Sequence, residues 1–247
     1  MSEQEMLEQL TMKLERLEAV QACRNLMGKY SYYHTAFRNN EYIDLWAKRD
    51  DDLLVMPWGS YKGFEGVKAC YLKDHGDRND PGMLDSLRGA VMMHEMDTEV
   101  IEAAEDGKTA KGAWISPGHE TYVDGQVPGR PDETGDGKAH AEWCWGKYAV
   151  DFIKDADGQW KIWHVVVATD LQSEAGQNYM EQPVDLPDEE NRAFVEFGTP
   201  TLPMRTHNER YNWLDNYPAP PAPYATFDEN NSYGPEGHPD YEEGAEA

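Results

Sequence analysis

Cysteine is scarce in this 247-residue chain: Cys23, Cys70 and Cys144 are widely spaced and odd in number. That argues against a disulfide framework or a zinc ribbon and suits a reducing compartment. Basic residues are also few, 22 Lys and Arg against 47 Asp and Glu, and a formal net charge of −25 repels phosphate backbones and anionic lipid. Binding to nucleic acid or membrane is therefore not expected. No apolar run approaches a bilayer span, and the opening MSEQEMLEQL has neither a basic n-region nor an apolar h-region, so a cytoplasmic setting is expected. Glycine-rich phosphate loops, Ser-centred elbows and His pairs at metal-ligand spacing are missing. The sequence thus predicts no metal and no cofactor, and acid–base chemistry by side chains becomes the default. Small hydrophobic or aromatic ligands remain open.

Charge divides the chain. From Gln172 onward there are 16 acidic and 3 basic residues, against 31 and 19 in residues 1–171. Proline also rises there, culminating in YPAPPAPYATFDENNSYGP, which cannot be helical. We therefore expect a folded domain over residues 1–171 and an extended acidic, Pro/aromatic-rich extension over 172–247. Trp213, Tyr217, Tyr224, Phe227 and Tyr233 are more aromatics than a solvated linker carries, so much of the extension should lie against the domain or a neighbour.

Residues 139–171 form the most informative stretch, two strand-like runs meeting at Asp157-Gly158, a short hairpin signal. On the first arm His140, Glu142, Cys144, Tyr148, Val150 and Phe152 share one face, and Trp143, Trp145, Lys147, Asp151 and Ile153 the other. On the second arm strict alternation groups Trp160, Ile162, His164 and Val166. Neither surface is polar, so both need cover: helices on one side, a partner subunit on the other. A homo-oligomer, dimer or trimer, is expected, with the extension reaching round a neighbour.

Upstream, Leu7, Leu10, Leu14 and Leu17 stand at 3-4-3 spacing among polar residues, predicting a long first helix packed across a sheet or zipped to a neighbouring subunit. Gly28 interrupts it. The pattern then resumes with Tyr30, Tyr33, His34 and Phe37 on one inward face. A short helix around 42–47, a brief strand through DDLLVMPWG and a helix over 63–74 follow. Residues 91–104 read as one strand carrying Met92, His94, Met96, Thr98 and Val100 on a face, paired through Asp106-Gly107 with KTAKGAWIS. Residues 117–138, rich in Gly, Pro and Asp, read as a long excursion, either a lid or a mobile loop.

Acid–base side chains sit on separate elements that converge if the strands curl round the helix: Tyr30, Tyr33 and His34, then His94, then Lys147 and His164. Each has a plainer role beside the catalytic one. His94 between two methionines suits a satisfied core histidine, His34 suits packing against the sheet, Lys147 can reach solvent along its stem, and an inward His164 can be core. Tyr148, Trp58, Phe37 and Arg38 complete the candidate substrate contacts.

The pieces LERLEAVQACRNLMGKYSYYHTAFRNNEYIDLWA, GSYKGFEGVKACY, MMHEMDTEVIEAAEDGKTAKG and WGKYAVDFIKDADGQWKIWHV, in that order, resemble the SnoaL-like group of the nuclear-transport-factor-two superfamily over about residues 14–171. The resemblance implies an α+β fold, a cone-shaped barrel in which N-terminal helices lie over a strongly curved antiparallel sheet. It also implies cofactor-free dehydratases, isomerases or cyclases that use a Tyr, an Asp and a His. Tyr33 matches the tyrosine and His94 the histidine. The Asp position falls on Arg38; slipped by three, Tyr30 becomes the tyrosine and Thr35 stands where the Asp should be. His34, Lys147 or a loop carboxylate would have to serve instead. The reaction implied is elimination, isomerisation or loss of a small fragment from a hydrophobic ring compound, an aromatic, steroid or polyketide. Lyases that split formaldehyde from lignin-derived diarylpropane diols are one variant. Non-catalytic ligand binding or assembly is the other class such folds host.

Overall fold

The computed structural model describes residues 1–56, 59–83, 87–123, 137–178 and 218–233. Its first helix, α1 (Glu3–Thr35), is a single rod. Ser2 caps it reciprocally, its hydroxyl accepting from the Glu5 N–H while its own N–H donates to the Glu5 carboxylate. Gly28 does not interrupt the helix. A mid-helix glycine costs only about 1 kcal/mol, and its neighbours Leu26, Met27 and Tyr30 are buried against the sheet.

The chain then turns at Phe37, in the left-handed region at φ 52°, into α2 (Asn39–Ile43), a few residues earlier than the sequence predicts. Trp46, expected in that helix, instead makes an isolated bridge to Ile162. A hairpin of β1 (Leu53–Met56) and β2 (Gly59–Lys62) leads to α3 (Gly63–Lys68), which continues as a π-helical segment, Ala69–Asp74.

The predicted strand over 91–104 is two strands, β3 (Val91–His94) and β4 (Asp97–Ala103). They take different partners, and β4 itself is irregular near its start, with Thr98 at φ 51° and a register shift between Asp97 and Val100. As a result Met92 is buried while Val100 is exposed, although both were expected on one face. β5 (Thr109–Ser116) pairs with β4, and β6 (Gly118–Val123) occupies the start of the stretch read as an excursion. The rest of that stretch, 124–136, lies outside the described residues, as does its reading as a lid. β7 (Ala139–Lys154) and β8 (Trp160–Glu174) form the long hairpin, with Gly158 at φ 82° in its turn.

The sheet runs β2-β1-β8-β7-β5-β4, and β6 joins β7 to β3. All pairs are antiparallel except β1 with β8. β7 organises it, pairing with β5 along its C-terminal half and with β6 along its N-terminal half. Its inner face, bearing Tyr148, Val150 and Phe152, packs on Tyr30, Met27 and Cys23 of α1 in the main core. This is the expected α+β cone.

The outer face is covered by the same chain. Residues 218–233 lie across it as a strap, Tyr233 packing beside Val55, Ala149 and Val166. The Tyr224 hydroxyl bonds the Thr109 hydroxyl at 3.0 Å, and Phe227 lies 4.7 Å from the Trp163 ring. Tyr224, Phe227 and Tyr233 thus cover the surface that the sequence assigned to a partner subunit, while Trp213 and Tyr217 lie outside the described residues. Among the described residues no helix is long and apolar enough to cross a membrane.

Candidate active site

The inner face holds a cluster of rings and ionisable groups drawn from α1, α2, the π-helical segment, β3, β6 and β7. Tyr30, fully buried on α1, bonds the hydroxyl of Tyr148 on β7 at 2.7 Å. Its ring packs on His34 one turn along at 5.5 Å and on Tyr42 at 4.6 Å. The His34 ring in turn lies 5.3 Å from His75 and 6.1 Å from His94. Helical spacing of i, i+4 brings Tyr30 and His34 together, and the Ser31 hydroxyl ties α1 to β3 by donating to the His94 carbonyl at 2.7 Å.

His94 faces a carboxylate. Its Nε2 lies 3.3 Å from Oε1 of Glu120 on β6, and both side chains are nearly buried. The pairing follows from register: His94 stands opposite Gly118, and Glu120 lies two residues along the same face. A side chain at 118 would collide with the Cys144 carbonyl and come within 2.8 Å of His94 Nδ1, so the glycine leaves room for the imidazole.

Burial sets the protonation of this cluster. Tyr30 and Tyr148 are pushed well above the usual phenol range, chiefly by desolvation, so both stay neutral and can donate. His34 is pushed down to about 3 by burial first and then by the neighbouring His75 and His94. Its tautomer follows from Asn39, whose amide N–H donates to the Gly76 carbonyl at 2.7 Å and whose oxygen therefore faces His34 Nδ1 at 3.0 Å. That assigns the proton to Nδ1 and leaves Nε2 as the acceptor.

Of the residues singled out in the sequence, Tyr30, His34, His94 and Tyr148 come together. Tyr33 does not join their rings. It is half-buried beneath the Arg38 guanidinium, 4.9 Å from its ring centre, while Arg38 pairs with Glu41 at 2.8 Å. Phe37 packs with Met92 in a small neighbouring cluster that includes Tyr122. Lys147 lies on the outer side of β7 and bonds Asp170 at 3.1 Å. Trp58 lies outside the described residues.

His164 is also on the outer face, not inward with Ile162, because a register shift between Asp151 and Phe152 breaks the alternation. There its Nδ1 meets Asp151 at 2.9 Å and its Nε2 the Asp51 carbonyl at 3.1 Å. Asp151, fully buried, also bonds Lys111 at 3.1 Å and accepts from the Ser232 hydroxyl and the Tyr233 N–H of the strap. Burial alone would raise its carboxyl, but His164 and the Lys111 charge hold it below the usual carboxylate range. Ser, His and Asp here do not form a nucleophilic triad: Ser232 and Asp151 both approach Nδ1, and Nε2 is occupied.

The sequence did not single out Glu120, Asn39 or Tyr42 as site residues; it placed Tyr71 toward the core on the third helix and gave His75, in a loop-like context, no catalytic role. The signal for Glu120 was present in GHETYV, an alternating run between Pro117 and Gly125 that reads as a short strand. Among the described residues no group of three or more His, Cys, Asp or Glu side chains is placed to hold a metal ion.

Helices over one bent sheet, with histidines, tyrosines and a carboxylate on its inner face, define an α+β cone domain. The chain belongs to the SnoaL-like domain family, whose model matches residues 15–166. No curated protein matches it by sequence. Similar solved structures include a putative scytalone dehydratase from Novosphingobium aromaticivorans, 15% identical, covering 66% of this chain and 91% of that one at a TM-score of 0.48. A hexachlorocyclohexane dehydrochlorinase, LinA-type3 from Novosphingobium barchaimii, is 16% identical over 69% and 99%, at 0.48. A nuclear transport factor 2-like protein from Salmonella enterica is 16% identical over 68% and 99%, at 0.43. None of these likenesses bears on what this chain does.

Proposed function

We propose that this chain is a cofactor-independent lyase or isomerase that moves a proton on a hydrophobic ring compound through His94, with Glu120 as its carboxylate partner. The observation that carries this reading is the 3.3 Å approach of His94 Nε2 to Glu120 Oε1 beside the Tyr148 ring, 6.2 Å away. Such contacts are often loose without substrate and tighten in the reacting complex.

In this reading His94 takes a proton from a carbon next to a carbonyl or conjugated phenol. The imidazolium that forms is balanced by Glu120; two unit charges 4 Å apart attract by about 4 kcal/mol at an effective dielectric of 20. The Tyr30–Tyr148 pair steadies the oxygen on which charge develops. One hydroxyl donates to the other, leaving the second proton for a third atom. His94, now an acid, returns the proton to a leaving group or to another carbon, giving elimination or isomerisation. Glu120 would then do the work expected of the carboxylate absent at Arg38.

Non-catalytic ligand binding is a second reading, favoured by the mutual satisfaction of the two phenols inside the core. A panel of aromatic, steroid, polyketide and lignin-dimer compounds, screened by thermal shift and followed by product analysis, separates the two. Turnover that disappears in His94→Ala supports the enzyme. Binding without turnover, or turnover that survives this substitution within a few fold, overturns it.

A further inference from the structure

We infer that the N-terminal half of α1 is a dimerisation helix that pairs with the same segment of a second copy as a parallel two-stranded coil. Leu7, Leu10, Leu14 and Leu17 are 64%, 58%, 57% and 68% exposed in the single chain, and every residue from Glu3 to Glu15 is exposed. Four leucines in water on one stripe are an unfinished interface. Their 3-4-3 spacing is that of alternating a and d positions over two heptads.

The helix is oriented to offer that stripe. At about 100° per residue, the leucines centre roughly 170° round from the face formed by Ala19, Cys23, Leu26 and Tyr30. Those four residues are buried against the body, and Arg16, on the same side, pairs with Glu102 of β4 at 3.9 Å. A second helix laid on the stripe therefore meets none of the described residues of its host, and the two described bodies fall on opposite sides of the seam. The exposed segment spans about 20 Å at 1.5 Å per residue.

Charge selects the partner and its direction. With Leu7 and Leu14 at a, and Leu10 and Leu17 at d, Lys13 falls at g and Glu18 at the following e position. In a parallel pair in register each Lys13 faces Glu18 of the other chain, twice per dimer. In an antiparallel pair centred on the stripe the two Lys13 ammoniums face one another, which is unfavourable. The outer sheet face does not compete as an apolar surface at Val55, Ala149 and Val166, since Tyr233 of the strap packs there.

The test measures the mass of the full chain by light scattering at micromolar concentrations, for the wild type and for Leu10→Lys/Leu14→Lys. Both side chains are more than half exposed among the described residues, so the double variant should keep its near-ultraviolet dichroism. A wild-type dimer and a monomeric variant are expected. A second variant, Leu10→Cys, oxidised at the same concentration, should cross-link to a covalent dimer, because equivalent d positions meet only in the parallel arrangement. A monomeric or trimeric wild type, or a dimer that persists in the double variant, overturns the pairing. A dimer that the double variant abolishes but Leu10→Cys fails to cross-link overturns the parallel arrangement.

Discussion

Glu120 stands 3.3 Å from His94, whose facing residue across the strand pair, Gly118, has no side chain to crowd the imidazole. Substituting either partner should separate catalysis from binding. His94→Ala should abolish turnover while leaving the fold intact. Glu120→Gln should lower kcat by about 10- to 100-fold with KM little changed, because the imidazolium formed on His94 loses its balancing charge. An unchanged kcat would restrict Glu120 to a packing role.

Gly118→Ala should be poorly tolerated although the strand is short. The added methyl meets the Cys144 carbonyl, which is backbone and cannot swing aside, and then His94 Nδ1 at 2.8 Å. Forcing such a contact typically costs 1–3 kcal/mol. A fall in melting temperature together with lost turnover is expected; a variant as stable and active as wild type would show that the imidazole does not need this space.

Acid should weaken the fold through His34. Its folded pKa of about 3 lies below its ordinary 6.5, so the unfolded chain takes a proton that the folded one refuses. The stability this supplies is complete above pH 6.5 and falls by about 1.4 kcal/mol per pH unit as pH drops toward 3. Denaturant titrations of His34→Gln between pH 4 and 7 should show a shallower dependence than wild type.

Asp52 works in the opposite sense. Burial, with help from the neighbouring Asp51, raises its carboxyl to about 6 against the stabilising bond from the Arg49 N–H. The folded state therefore prefers it protonated; that contribution is whole below pH 3.8 and lost as pH rises through 6. Asp52→Asn keeps an acceptor without the charge. It should raise the melting temperature at pH 8 and leave it unchanged near pH 3.5.

The strap should contribute to stability. Deleting residues 218–247 uncovers Val55, Ala149 and Val166 and removes two hydrogen bonds to the buried Asp151. A clear fall in melting temperature is expected, with the association state unchanged because the leucine stripe of α1 remains. Loss of association on this deletion would return the strap to the neighbour-wrapping role expected from the sequence.

Much of the architecture was legible in residue order because it depends on local periodicity. The alternation of β7, the turn at Asp157-Gly158 and the helical spacing of Tyr30 and His34 each need only a few consecutive residues to declare themselves. Reading failed where a departure from periodicity decided the outcome. The shift between Asp97 and Val100 in β4 reversed the exposure expected of Val100, and the shift beside Asp151 moved His164 to the outer face. Whether Tyr30 or Tyr33 joined the rings beside the strand histidine depended on where α1 rests against the sheet, which its own spacing leaves open.

Taken alone, the order of residues determined the helix-over-sheet class, the long aromatic hairpin, the acidic extension and the candidacy of His94, since each is a property of short windows and composition. Tertiary structure decided which carboxylate His94 meets, which face His164 and Lys147 occupy, and what covers the outer sheet. Those outcomes require contacts between segments far apart in sequence, set by strand register and by the packing of α1 and the strap, and no window of consecutive residues encodes them.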